Sequence, residues 1–172
     1  MAYVDTNVLI AAYTPKDPMH KPAKAFLAST TTPTFVSPLT FTEIVSVVAR
    51  NDQLLETPLF LKEESSTRRV RALAEYIIRD SGVSMASPQG SSRTRIGGRS
   101  VVIPIEYSRA ASLAAVLKLR TLDLLHLAYA YIIGRIEYSL TSFVTGDALI
   151  ASRAKQIHQL LGLDVRHPAD LT

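Results

Sequence analysis

The chain has no cysteine and no tryptophan. Without thiols there is no disulfide framework, no thiolate zinc site and no thiol nucleophile, and a reducing cytoplasm is the expected compartment. Long apolar runs are absent too. The longest, Leu124 to Ile133, is far short of the ~20 residues that span a bilayer, and the N-terminus does not order basic, apolar and small residues as a secretion signal does. The sequence lacks G-x-S-x-G, G-x-x-x-x-G-K and G-x-G-x-x-G, which argues against serine hydrolase, P-loop and dinucleotide chemistry. Its four histidines, at 20, 126, 158 and 167, have no metal-binding spacing, and His126 reads as a satisfied core histidine. Asn7 stands two residues after Asp5, where an aspartyl-phosphate enzyme wants a second acid. No internal repeat is visible.

What remains is 172 residues, 47% apolar and 20% charged, the profile of one globular domain with a real core. Nineteen Lys and Arg against fifteen Asp and Glu give a formal charge of +4. The excess is uneven: residues 50–120 hold twelve basic and seven acidic side chains. A basic middle favours a polyanionic partner such as nucleic acid.

Short β-prone runs alternate with helical stretches. Ala2 to Val4, Thr34 to Val36, Val101 to Ile103 and Ser142 to Thr145 are expected strands, with Asp164 to Arg166 a short last one. Helices are expected after Asn7, over His20 to Ser29, and from Pro38, where Ser37 is the cap and Phe41, Ile44, Val45 and Val48 form the buried stripe. Further helical segments open at Thr57-Pro58, run from Arg68 to Gly82, from Ser108 to Lys118, through the nearly all-apolar Leu122 to Ile136, and from Asp147 to Leu161. The pattern predicts an α/β fold with a mostly parallel sheet covered on both faces. Residues 83–100 stand apart: five serines, three glycines, Arg93, Arg95 and Arg99, and no acid. They are expected to form a mobile loop or a loose hairpin on the surface.

Four acids matter more as a set than singly. Asp5 follows the first strand, Asp123 opens the buried helix after a cap at Thr121, and Asp147 follows the strand ending at Thr145. Each of the last two suits the positive end of a helix dipole, which explains them one at a time. In a parallel sheet, however, the carboxyl ends of all strands lie along one edge, so these acids would meet there. Carboxylates ~5 Å apart repel by roughly 3 kcal/mol at an effective dielectric near 20, so the cluster calls for protons or cations. Oxygen ligands without thiolates select Mg²⁺ or Mn²⁺, ions suited to phosphoryl chemistry. Glu43 lies about opposite the apolar stripe of its helix and on pattern alone is a solvated residue.

Val4-Asp5-Thr6-Asn7-Val8-Leu9, Thr42-Glu43-Ile44, Asp123-Leu124-Leu125-His126-Leu127-Ala128 and Val144-Thr145-Gly146-Asp147 resemble, in order and spacing, the four acidic motifs of PIN-domain ribonucleases, and among these the VapC toxins of toxin-antitoxin pairs. The resemblance implies a single domain over 1–172 with a three-layer, Rossmann-like sheet of four to five parallel strands. It implies Mg²⁺- or Mn²⁺-dependent cleavage of RNA, a homodimer and a cognate antitoxin. Carried across, Asp5, Glu43, Asp123 and Asp147 become the metal-binding, water-activating acids, supported by the hydroxyls of Thr6 and Thr145. Two features depart from the family pattern: Leu149 and Ile150 stand where many relatives carry another acid, and the 83–100 insertion is long. Arg68, Arg69, Arg71, Arg93, Arg95 and Arg99 are the candidates for RNA backbone contacts. An RNA-binding or partner-binding module without hydrolysis, a housekeeping RNA-processing nuclease and a small-molecule phosphatase are the competing expectations.

Overall fold

The computed structural model describes residues 1–137 and 139–171. Its centre is β1 (Ala2–Val4), whose side chains are all buried and alternate between two cores. Ala2 and Val4 face helices α1 (Thr6–Ala12), α2 (His20–Ser29), α3 (Pro38–Asn51) and α4 (Ser66–Asp80), where Val8, Leu9, Ile44, Leu73 and Ile77 pack. Tyr3 faces the other way, stacked on Phe143 at 5.6 Å between ring centroids. That second core is built by α5 (Ile105–Leu117), α6 (Thr121–Ile136) and α8 (Ala154–Leu161), through Leu117, Leu127, Ile133 and Ile157. Period-two alternation in a strand buried on both faces thus produces the three layers.

The five-stranded sheet has the order β3 (Ser84–Met85), β2 (Thr34–Val36), β1, β6 (Ser142–Val144), β7 (Asp164–Arg166), and every pairing is parallel. The chain winds outward from β1 to β3 on one side, then returns to place β6 beside β1. The order therefore reverses between β1 and β6, and the crevice beyond their carboxyl ends is where open α/β sheets bind ligands. Asp5 directly follows β1, and Asp147 comes three residues after the end of β6. The α/β architecture and the parallel sheet expected from the sequence are present.

Several local expectations are corrected. Val101 to Ile103 is not a sheet strand: it lies in β5 (Arg99–Pro104), which pairs antiparallel with β4 (Ser91–Ile96) in a separate two-stranded hairpin. Local pairing across a two-residue turn took a run that looked buried and left Val102 60% exposed. Gly97 and Gly98 form that turn with φ of 56° and 79°, the left-handed values a tight hairpin loop demands. The third parallel strand is instead the two-residue β3, too short to show a pattern. Between Thr57 and Ser65 there is only a 3₁₀ turn at Leu59–Leu61, and α5 begins three residues earlier than Ser108. The expected helix from Asp147 to Leu161 is two, α7 (Ala148–Ala151) and α8, because Ser152 Oγ donates to the Leu149 carbonyl and Arg153 leaves helical geometry.

Candidate active site

Asp5 sits at the N-cap of α1 and is 6% exposed. Its Oδ2 accepts from Thr145 Oγ1 at 2.7 Å and from Asn7 Nδ2 at 2.7 Å. Asn7 uses its second amide proton on Thr145 Oγ1 at 3.0 Å and accepts from the Gly146 N–H at 3.0 Å, while the Asp147 N–H donates to Thr145 Oγ1 at 3.0 Å. These bonds clamp the loop after β1 to the loop after β6 across the crevice. Burial pushes the Asp5 carboxyl above the usual carboxylate range, against the opposing pull of His126 and the Thr145 hydroxyl.

Behind Asp5 lies a buried polar chain. Tyr3 Oη is 2.7 Å from Ser37 Oγ and 2.9 Å from His126 Nδ1, and His126 Nε2 is 2.5 Å from Glu43 Oε2 and 3.8 Å from Asp5 Oδ1. A carboxylate can only accept, so Nε2 carries a proton and donates to Glu43. Thr6 Oγ1 donates to the same Glu43 oxygen at 2.5 Å. Burial alone would raise Glu43, but the bond and charge of His126 and the Thr6 hydroxyl outweigh it and hold the carboxyl below its ordinary value. Burial lowers His126, yet Glu43, Asp5 and Asp123 together raise its affinity for a proton. Glu43 is therefore not the solvated residue its helical pattern suggested. One side of α3 packs into the first core while the next reaches α6, so two faces of the helix are occupied.

Asp123 is the third residue of α6 and accepts the Arg120 N–H at 3.3 Å, which makes Arg120 rather than Thr121 the residue before the helix. Burial raises its carboxyl, the Arg120 N–H opposes that, and the charges of Asp147 and Asp5 raise it further. Asp123 thus feels one acid close by in sequence and one more than a hundred residues away. Asp147 is itself the N-cap of α7, its Oδ1 accepting from Leu149 N at 2.7 Å and Ile150 N at 3.1 Å. Among the described residues no three Asp, Glu or His side chains are arranged to hold a metal ion as they stand. The donors are all oxygens, and Glu43 Oε1 and Asp147 Oδ2 make no hydrogen bond among the described residues, so the chemistry of the set suits a hard divalent cation.

The residue pattern singled out Asp5, Asp123 and Asp147, the family resemblance added Glu43, Thr6 and Thr145, and neither pointed to Asn7 or Tyr3 as partners of these acids. A polar side chain two residues past a buried strand was the available signal for Asn7. The six arginines divide. Arg69 bonds Asp52 at 2.9 Å and Arg71 bonds Glu75 at 2.8 Å, so local acids hold both, and Arg68 is exposed on α4. Arg93, Arg95 and Arg99 are exposed on the hairpin and form no ion pair among the described residues. A cavity of about 1170 Å³ lies elsewhere, between the end of α1, α2 and α4, and none of the four acids lines it.

A family model described as the PIN domain matches residues 2–86. Residues 2–86 belong to the PIN domain family. The match contains Asp5 and Glu43, whereas Asp123 and Asp147 lie beyond it and reach the site through the fold. Among solved structures, the PIN domain resembles the crystal structure of Mycobacterium tuberculosis VapC20, described as a sarcin-ricin loop cleaving toxin. The two are 15% identical and align over 88% of this chain and 95% of that chain with a TM-score of 0.55, a likeness of fold. No curated protein matches the sequence.

Proposed function

We propose that this PIN domain is a metal-dependent endoribonuclease and the toxin of a toxin-antitoxin pair. What supports the reading is that Asp5 and Asp147 follow the two strands at the order reversal and that the charges of both raise the Asp123 carboxyl. Family membership supports the chemistry, and the VapC20 fold supports the toxin role. Asp5, Asp123 and Asp147 would hold Mg²⁺ or Mn²⁺, with Glu43 contributing through Oε1. Such an ion supplies a bound water of lowered pKa and neutralises charge growing on the phosphate oxygens. The chain's own part is to keep the oxygens in place: Asn7 and Thr145 fix Asp5, while His126 and Thr6 fix Glu43 and keep it ionised.

The substrate is RNA, and the partners are a second copy of the chain and a cognate antitoxin. Leu59 and Phe60, 79% and 65% exposed, supply apolar surface for a protein partner. No helix among the described residues is long and apolar enough to cross a membrane, in keeping with a cytoplasmic protein. A second reading, an RNA-binding module without hydrolysis, is favoured by the exposed Arg93, Arg95 and Arg99 of the hairpin, which can hold RNA without cleaving it. Labelled ribosomal RNA incubated with Mn²⁺, with and without EDTA, separates the two. The nuclease reading expects fragments that EDTA and Asp5→Asn each abolish. RNA retained but intact under every condition refutes it.

A further inference from the structure

The hairpin β4–β5 is not needed to complete the sheet, and its composition points outward. Cross-strand partners share a face. Ser92 with Ile103 and Thr94 with Val101 form the face turned toward α5, where Ser108 Oγ donates to Ser92 Oγ at 3.2 Å and the Ile105 N–H donates to the Gly90 carbonyl at 3.2 Å. The opposite face carries Arg93 beside Val102 and Arg95 beside Ser100, all exposed, while Arg99, paired with Ile96 at the turn, stands on the side of Ser92 and Thr94 and is exposed beyond α5 at the tip. Residues 83–100 hold no carboxylate to neutralise these guanidiniums.

We propose that this ribbon is an RNA-tracking arm that binds the phosphate backbone without regard to sequence, beyond the cleaved bond. The proposal rests on the ribonuclease reading and adds a second contact to it. Arg93 and Arg95 are two residues apart on one strand, ~6.8 Å, a spacing comparable with that of successive phosphates. Residues 91–104 contain no aromatic side chain and no histidine, so the arm offers no platform for stacking bases, and guanidinium-phosphate contacts are what it can make. Its root lies away from the acids. Glu106, at the start of α5, accepts from Tyr129 Oη at 3.0 Å, and Tyr129 is six residues, ~9 Å, along α6 from Asp123. With strands of six residues, ~20 Å, the arm reaches RNA only if the strand continues past the site.

The test uses the full chain carrying Asp5→Asn, in EDTA, titrated against fluorescent polyuridylate over a KCl series. Alongside it run the same protein with Arg93→Ala, Arg95→Ala and Arg99→Ala, and with all three changed to Lys. The expected result is that the Ala variant binds more than tenfold more weakly at low salt, with a salt slope smaller by about 2, and that Lys restores the slope. Circular dichroism melting of the three proteins should coincide, since the replaced side chains are exposed. Affinity within twofold and an unchanged slope in the Ala variant would overturn the arm. Cleavage of ribosomal RNA by the wild-type chain with Mn²⁺ is scored in parallel: arm-dependent binding without cleavage supports the arm and removes the nuclease reading instead.

Discussion

Asp5 is an ionisable group held where ionisation is costly. Its folded pKa is raised, so its contribution to stability is complete below the unfolded value near 4 and is lost as pH rises through the folded value; at neutral pH the ionised group opposes folding. Asn keeps the bonds, because its carbonyl can take the place of Oδ2 and accept from Asn7 and Thr145. Asp5→Asn is therefore expected to raise the melting temperature in EDTA by about 3 °C, for roughly 1 kcal/mol in a domain of this size. It should also remove the further rise that Mg²⁺ or Mn²⁺ gives the wild-type chain. Calorimetry with and without the ion checks both; destabilisation in EDTA would mean that the charge is compensated. His126 behaves oppositely, since both ring nitrogens are bonded and the ring is 3% exposed. His126→Ala takes one bond each from buried Tyr3 Oη and half-buried Glu43 and leaves a cavity between them, and should cost about 3 kcal/mol, measured by urea unfolding. Asp5, Asp123 and Asp147 were legible because each lies just after a strand or opens a helix. The role of Glu43 was not, because a hydrophobic stripe says which face is buried first, not whether a second face meets a polar partner.

The helices α3, α4 and α6 were legible from their apolar spacing, which local residues set. The hairpin β4–β5 shows how that method fails. Six consecutive residues with one apolar side chain, Ile96, carry no alternation of the usual kind, since the half-buried face is made by Ser92 and Thr94. The usable signal was the Gly97-Gly98 pair between two short runs. Because the hairpin packs chiefly on α5, it should open independently of the two cores. Replacing Gly97 and Gly98 by Val puts β-branched side chains at positive φ. The expected outcome is rapid amide exchange across 91–104 with the global melting temperature lowered by less than about 2 °C. A melting temperature falling together with hairpin protection would show that the ribbon is part of the cooperative unit.

The two cores share β1, so neither unfolds without exposing the strand that the other buries, and one transition is expected for the described fold. Its alkaline limit is set by tyrosines on both sides of the sheet. Tyr3 in one core and Tyr13 in the other are raised, chiefly by burial, and Tyr129 is pushed up to about 12 by burial and by its bond to the buried carboxyl of Glu106. A raised folded pKa means that stability is complete below the unfolded value near 10 and is lost as pH rises toward and through 12. The urea midpoint followed by circular dichroism should therefore be insensitive to tyrosine titration up to about pH 10 and fall beyond it, with near-ultraviolet and far-ultraviolet signals moving together. Tyr129→Phe removes one titrating group and orphans Glu106, so its midpoint should be lower at neutral pH and fall less steeply above pH 10. Two separated transitions, or a Tyr129→Phe curve parallel to the wild type above pH 10, would show that β1 does not couple the layers or that Tyr129 is not among the groups that set the limit.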